Sequence, residues 1–240
     1  MKKDLLLAAS VWFPKPVRHY TFEPNTVNVN VLTDLSGTQN GTIIGNPVFT
    51  AGQRGNCVKF DGNKANYIDI GQTDFIQQTA IFSIAFWAKT QYADAGTLMA
   101  LAGSSFRRAN IGWSLGFDDR SSVSLNRMLR FSIYDGTNTG SIVDLFVNNI
   151  VPADSVYHHY VVTGDGVTIR AYIDGSLIGS APIIRTLQPN LTAASSCLGC
   201  ANYATESGVG FPYNGEIDEF RIMPKSLTEN QIKRLYQNGQ

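Results

Sequence analysis

The segment Tyr157-His-His-Tyr-Val-Val-Thr-Gly-Asp-Gly-Val-Thr-Ile-Arg-Ala-Tyr-Ile-Asp-Gly175 holds two apolar runs of strand length, His158–Thr163 and Thr168–Ile173. Gly164-Asp-Gly166 joins them, and Asp174-Gly175 closes the second. Each turn has a mechanism, because glycine accepts a positive φ and an aspartate carboxylate bonds nearby backbone. Two strands joined this way read as an antiparallel hairpin.

The same pattern repeats outward in both directions. Strands are expected at Val17–Phe22, Cys57–Phe60, Tyr67–Ile70, Phe82–Lys89, Trp113–Phe117, Met128–Tyr134 and Glu216–Met223. Turns fall at Asp34-Leu-Ser-Gly37, Asp61-Gly62 and Asp135-Gly136. Many short strands at this spacing predict an all-β fold, a two-sheet antiparallel sandwich. One short helix is expected at the C-terminus, where Ser226 with Glu229, or Thr228 with Gln231, forms a capping box. Ile232, Leu235 and Tyr236 follow at helical spacing as its apolar face, and Gly239 is placed to end it. The stretch Ser104–Ile150 is less regular and reads as strands carrying variable loops, where a sandwich keeps its specificity.

The chain has 240 residues, a length that all-β sandwiches commonly fill as one domain. Residues 1–17 read as an N-terminal arm and 18–240 as the sandwich. Trp12 and Phe13 make the arm aromatic, offering it to a partner or to the protein's own body. Charged residues are only 16% against 43% hydrophobic, so Gly, Asn, Ser and Thr must keep the surface wet. The formal net charge is zero and no Lys/Arg run exceeds two residues, which argues against nucleic acid and anionic membranes as partners. Met1-Lys2-Lys3 followed by Leu5–Ala9 is interrupted by Asp4 and too short to read as a secretion signal.

Cys57, Cys197 and Cys200 form no disulfide framework and are expected to be structural and reduced. Cys197 and Cys200 have metal or redox spacing, but residues three apart on a strand face opposite sides. His158 and His159 likewise face opposite ways and read as packed or rim histidines. No Gly-x-Ser-x-Gly elbow, phosphate-binding loop or His-Glu-x-x-His helix occurs.

The landmarks His19-Tyr-Thr-Phe-Glu23, Asp34-Leu-Ser-Gly37, Gly55-Asn-Cys-Val-Lys-Phe-Asp-Gly62, Phe82-Ser-Ile-Ala-Phe-Trp87, Ala171-Tyr-Ile-Asp-Gly175 and Asn214-Gly-Glu-Ile-Asp-Glu-Phe-Arg221 follow one another in a specific order. From about residue 18 to residue 236 the chain resembles the laminin G-like, concanavalin A-like jelly-roll domains of bacterial and phage surface proteins. Tyr157 stands where that family usually has Trp. The resemblance implies two stacked sheets with Trp87, Phe60, Tyr172 and Phe220 in or near the core, and non-catalytic sugar or protein binding. It also implies one structural Ca²⁺ near the first and last strands, with Glu23, Asp34 and Asp218 as its carboxylates. The competing reading is that Asp34 makes its turn and Asp218 caps a strand hydrogen bond.

Glycosidases of this fold carry Glu-x-Asp-x-Glu on one strand, and Glu216-Ile-Asp-Glu219 resembles that motif. Strand parity puts Glu216 and Asp218 on one side, Phe220 in the third place and Glu219 away, so the triplet is incomplete and no enzyme is expected. The sequence therefore points to a phage virion surface protein, of capsid decoration or tail-fibre type. Its arm, through Trp12 and Phe13, would hold other virion proteins, and its sandwich would touch host glycans. Such a protein folds in the host cytoplasm and is displayed on the virion. Tyr92, Trp113, Tyr203 and Tyr213 sit near expected loops, where rings could stack on sugars, core packing being the other reading. The alternatives are a bacterial extracellular carbohydrate-binding module and a ligand-free capsid cement protein. Homo-oligomers through sheet edges or arms remain open.

Overall fold

A computed structural model describes residues 13–91, 98–105, 111–118, 127–137, 140–148, 150, 154–187, 190, 192–203 and 208–238. Among these residues lie nineteen strands and two helices. The first half holds β1 (Arg18–Tyr20), β2 (Val27–Asn28), β3 (Val31–Leu32), β4 (Gly41–Ile44), β5 (Val48–Ala51), β6 (Asn56–Asp61), β7 (Tyr67–Asp69), α1 (Phe75–Thr79), β8 (Ile81–Thr90) and β9 (Leu98–Gly103). There follow β10 (Ile111–Asp118), β11 (Met128–Asp135), β12 (Ser141–Val147), β13 (His158–Asp165), β14 (Thr168–Ile173) and β15 (Ser176–Pro182). The chain ends with β16 (Cys197–Leu198), β17 (Ala201–Tyr203), β18 (Gly208–Gly210), β19 (Asn214–Met223) and α2 (Glu229–Asn238).

Two large antiparallel sheets form a jelly-roll sandwich. The first has the order β15-β14-β13-β8-β19-β6-β5, with β1 also on β19, and the second β12-β11-β10-β9-β16-β7-β4-β3-β2. The opening hairpin is β13–β14, where Tyr160 faces Ile173 and Gly164 faces Ile169. Every strand expected from alternation is present, with ends shifted by a residue or two.

Period-two alternation makes the core. On β8, Phe82, Ile84, Phe86 and Ala88 point between the sheets, and on β10 and β11 Trp113, Leu115, Phe117, Leu129, Phe131 and Ile133 meet them. Phe60 and Phe220 belong to this core, whereas Trp87 and Tyr172 do not: their parity puts them on the outer face of the first sheet. There α2 covers them. Tyr172 packs with Ala85, Val161, Met223, Leu227 and Ile232, and Trp87 lies 5.1 Å from the His159 ring and 5.7 Å from Tyr236. Phe13, the first described residue of the arm, also packs against this second cluster. Trp12 lies outside the described residues.

Helix α2 starts with the Thr228 box. Thr228 N donates to Gln231 Oε1 at 2.9 Å and Gln231 N to Thr228 Oγ1 at 3.3 Å. Ser226 is used differently, its hydroxyl 3.0 Å from that of Thr163.

Asp34 closes the turn after β3. Its carboxylate accepts from the backbone N–H groups of His19, Ser36, Thr38 and Gln39 at 2.8–3.1 Å, and from the hydroxyls of Ser36 and Thr38. Burial opposes its ionisation, but the donors of Ser36, Gln39 and His19 together outweigh it and hold the pKa at about 2. Asp34→Ala strips a partner from all of these groups and should lower unfolding free energy by about 2–4 kcal/mol in urea titrations. The carboxylate's contribution is present above its unfolded pKa of 3.8 and lost as pH falls toward about 2, so the gap to wild type should narrow over that range.

Candidate functional site

The irregular stretch forms one end of the second sheet, and its outward-parity residues are mostly buried: Ser114, Ser132 and Tyr134 have no exposure and Asp118 has 2%. Alternation that sends Trp113, Leu115 and Phe117 inward sends Gly112, Ser114, Gly116 and Asp118 outward. Antiparallel register then lines these up in cross-strand rows. Gly112 faces Tyr134, which faces Ser141; Ser114 faces Ser132, which faces Asp144; and Gly116 faces Arg130, which faces Phe146.

The rows are polar and mutually bonded. Ser132 Oγ donates to Asp144 Oδ1 at 2.5 Å, Ser114 Oγ lies 3.2 Å from the Tyr134 hydroxyl, and Arg130 Nη1 is 3.9 Å from Asp118 Oδ2. The Arg130 guanidinium sits 5.0 Å above the Phe146 ring, which is 44% exposed. Gly116 stands at a bulge where any Cβ would meet the Met99 carbonyl oxygen at 2.1 Å, so β9 and β10 approach too closely there for a side chain. The result is a buried layer of hydroxyls whose open end carries the half-buried Asp144 and Arg130 and the exposed Phe146 ring.

Of the aromatic residues predicted to stack on sugars, two are excluded. Trp113 and Tyr213 have no exposure. The Trp113 indole N–H donates to Thr73 Oγ1 at 2.8 Å, and the Tyr213 hydroxyl lies 3.0 Å from that of Thr90, between the sheets. Their polar atoms are satisfied inside, which is how a core keeps such rings. Tyr92 lies outside the described residues, and Tyr203 is described only as backbone in β17. Phe146, which had no distinguishing motif, was legible only as the outward residue at one end of a polar row.

The carboxylates predicted to hold calcium separate into two places. Among the described residues no three His, Cys, Asp or Glu side chains gather as a metal-binding group. Asp34 is not a candidate ligand, because six donors already occupy its oxygens. Glu23 and Asp218 instead approach the β5–β6 turn. Glu23 Oε1 accepts from Asn56 N at 3.2 Å, and Asp218 Oδ2 from Arg54 N at 2.7 Å. Gly52 and Gly55 make room, since a Cβ at Gly52 would lie 2.7 Å from Asp218 Oδ2 and one at Gly55 1.8 Å from Glu23 Oε1. Asp218 is fully buried and its Oδ1 has no hydrogen-bond partner. An orphaned carboxylate oxygen beside a second acid fits a hard cation.

A bulge in β19 sets this geometry. Glu219 has φ +51° and is the extra residue, so parity breaks and Phe220 turns into the core instead of sharing the side of Glu216 and Asp218. Glu219 lies 3.2 Å from His19 Nε2 and takes a donor from Arg221. Burial raises both adjacent acids, but His19 and Arg221 win at Glu219 and lower it, whereas Asp218 is pushed up to about 7, with Glu219 and Glu23 adding to the effect. Glu216 is engaged too: Lys89 Nζ lies 2.7 Å from its Oε2, Tyr157 donates to the same oxygen at 2.7 Å, and Lys59 stands 4.0 Å away.

The histidines divide as expected. His159 is 3% exposed in the aromatic stack, where burial and Arg221 lower its pKa to about 3. His158 sits at the rim, 2.6 Å from Asp174 and 3.0 Å from Asp154.

The family described as the concanavalin A-like lectin/glucanases superfamily matches residues 61–233. No curated protein matches the chain. Among solved structures, domain 4 of the extracellular arabinanase of Geobacillus stearothermophilus, in complex with arabinotriose, is 20% identical with a TM-score of 0.67, covering 93% of this chain and 99% of that one. The binding domain of Paraclostridial mosquitocidal protein 1 is 17% identical with a TM-score of 0.68, covering 93% and 52%. Botulinum neurotoxin type C, whose cell entry depends on two ganglioside molecules, is 17% identical with a TM-score of 0.70, covering 94% and 51%. The chain spans about half of these toxin chains. At such identities the likeness is one of fold.

Asp218 provides a test of the β19 bulge. Its folded pKa of about 7 exceeds the ordinary 3.8, so its contribution to stability is full below 3.8 and is lost as pH rises to about 7. In chelator, Asp218→Asn should therefore gain in melting temperature over wild type across that interval. A constant difference would show that Asp218 is not strained.

Proposed function

The chain belongs to the concanavalin A-like lectin/glucanase superfamily, and from that premise we propose that it is a glycan-binding domain that leaves its ligand chemically unchanged. The observation that carries this reading is the open end of the polar rows on β11–β12, where Phe146 is 44% exposed and Arg130 and Asp144 are half-buried. Sugars offer hydroxyls, which the half-buried Asp144 and Arg130 can pair, and apolar C–H faces, which suit an exposed ring such as Phe146. Exchanging hydroxyl–water bonds for bonds to charged groups contributes about 1.5–3 kcal/mol each, enough for weak, specific recognition without a deep pocket. The absence of catalysis is supported by Glu216, whose Oε2 is held by Lys89 and Tyr157 rather than presented to a substrate. It is supported as well by Glu219, which is engaged by His19 and Arg221.

In the same proposal one calcium ion is held by Glu23 and Asp218, without Asp34. Its role is structural: neutralising the buried Asp218 would tie β19 to the β5–β6 turn. The finer assignment is to a phage virion surface, as a capsid decoration or tail-fibre protein. That assignment rests on the low charge and on the aromatic arm, whose Phe13 seats on the body so that the segment before it would reach other virion proteins. A bacterial extracellular carbohydrate-binding module is the second reading, favoured by the near-complete coverage of the arabinanase domain.

The experiment measures binding of the purified chain to bacterial surface polysaccharides and arabino-oligosaccharides, with and without chelator, while released sugars are assayed. Saturable binding without release is expected. Phe146→Ala should weaken it about ten- to a hundredfold while leaving the melting temperature near wild type, whereas Asp144→Ala should weaken it and also lower the melting temperature, because it orphans the buried Ser132 hydroxyl. Sugar release that survives repurification would overturn the non-catalytic reading, and no binding to any polysaccharide would leave a cement protein. Chelation should lower the melting temperature more than it lowers affinity.

A further inference from the structure

Helix α2 covers most of the outer face of the first sheet and leaves one corner open. Alternation on β14 sends Ile169, Ala171 and Ile173 between the sheets, so Arg170 and Tyr172 face outward, opposite Thr163 and Val161 of β13. Val161 and Tyr172 pack with Leu227 and Ile232, but the next outward pair, Thr163 and Arg170, lies outside that cluster. There Thr163, Arg170 and Tyr172 from the sheet meet Leu227, Thr228 and Glu229 from the start of α2 around a pocket of about 220 Å³. At about 30 Å³ per water this is the space of roughly seven waters, room for one sugar ring and not for a chain.

Most of the wall has its hydrogen bonds met from within. Thr163 Oγ1 lies 2.8 Å from Ser83 Oγ and 3.0 Å from Ser226 Oγ, Leu227 N donates to Ser83 Oγ at 2.9 Å, and Thr228 closes the capping box of α2. Three polar groups remain. Tyr172 is 2% exposed, and its hydroxyl has no hydrogen-bond partner among the described residues. That hydroxyl is not one of the sealed, partnerless atoms of the interior, so it reaches solvent, and the pocket is where Tyr172 meets it. Burial raises the pKa of the phenol, which therefore stays a donor. Arg170 gives one N–H to Asp165 Oδ2 at 2.6 Å, leaving its other N–H groups for a ligand. The exposed Glu229 carboxylate has no hydrogen bond or ion pair among the described residues.

We infer that this pocket is a second sugar-binding site, for a single neutral monosaccharide unit, on the sheet opposite the one that carries Phe146. The class of ligand rests on the glycan-binding reading, whereas the place rests on the pocket alone. A sugar hydroxyl both donates and accepts, so two adjacent hydroxyls can give to Glu229 and receive from Arg170 or Tyr172. Leu227 and the Tyr172 ring supply an apolar wall for the C–H groups. Asp165 and Glu229 outweigh the one guanidinium, which removes the excess positive charge that an anion would need, and the guanidinium itself disfavours a cation. Two sites on opposite faces of one domain let a single copy cross-link two glycan chains.

The isotope-labelled full chain is titrated with D-glucose, D-galactose, D-mannose and L-arabinose while its backbone amide resonances are followed. The expected result is a saturable shift at Arg170, Tyr172, Thr228 and Glu229 with at least one of these sugars, retained in Phe146→Ala. Tyr172→Phe removes one hydroxyl and keeps the ring in its packing, and it should weaken binding at the pocket about two- to tenfold. Glu229→Ala changes an exposed residue and should weaken it about tenfold or more, which keeps the test open where Tyr172→Phe does not fold. Saturable shifts confined to the surroundings of Phe146 would overturn this inference and leave the glycan-binding reading standing. Shifts at the pocket that never saturate, or that neither variant weakens, would overturn it as well. With no shift anywhere the second site is lost, and binding of polysaccharides then decides the glycan-binding reading separately.

Discussion

Strand β19 must pair with β8 along one side and with two different strands along the other. Its first half, Asn214–Ile217, pairs with β6, and after the bulge Arg18–Tyr20 of β1 take over opposite Phe220–Ile222. The two partners cannot share one register, and an extra residue at positive φ resolves the conflict. Glu219 takes it although it is not glycine, a conformation that costs of order 1–3 kcal/mol and persists only where the surroundings enforce it. Its contacts with His19 and Arg221 supply that enforcement. The same kink leaves Asp218 buried with one oxygen unpaired, so a carboxyl pushed up to about 7 sits where its sheet changes partner.

The anchoring of β1 depends on this junction, and β1 in turn joins the two sheets. Arg18 reaches across to donate to the carbonyls of Ile70 and Gln72 at 2.9 and 3.0 Å, while Asp34 receives the N–H of His19. A charged side chain can be buried this way because its donors are matched by carbonyls rather than left dry.

The two outer faces have taken opposite courses. On the first sheet the small and apolar residues Ala85, Val161 and Met223 accept α2 and Phe13, so most of that face is consumed by the protein itself. On the second, Ser114, Ser132, Asp144 and Arg130 occupy equivalent outward positions, the serines with no exposure and Asp144 and Arg130 half-buried. The exposed Phe146 ring beside Arg130, at the open end of these rows, is the physical basis for placing ligand binding there.

Alternation and turn chemistry determined the fold from the sequence alone, because both are local: the period-two runs, the Asp-Gly turns and the Thr228 box all appear where the residues require them. The same alternation already contained the polar rows, but which serines and acids stand side by side depends on register, which links residues far apart in the chain. Trp113 and Tyr213 show the limit most plainly. Their sequence neighbours are Gly, Ser and Pro, the company of loops, yet their polar atoms are satisfied by Thr73, before α1, and Thr90, at the end of β8. Asp34 was legible as a turn and misread as a ligand, since the number of donors it collects is settled only when β1 comes alongside. Gly199 ends β16 at φ +82°, where the Phe60 ring leaves no room for a Cβ, a constraint set by a residue far away in the chain. Local periodicity decides what each segment is, and contact between distant segments decides where that periodicity breaks.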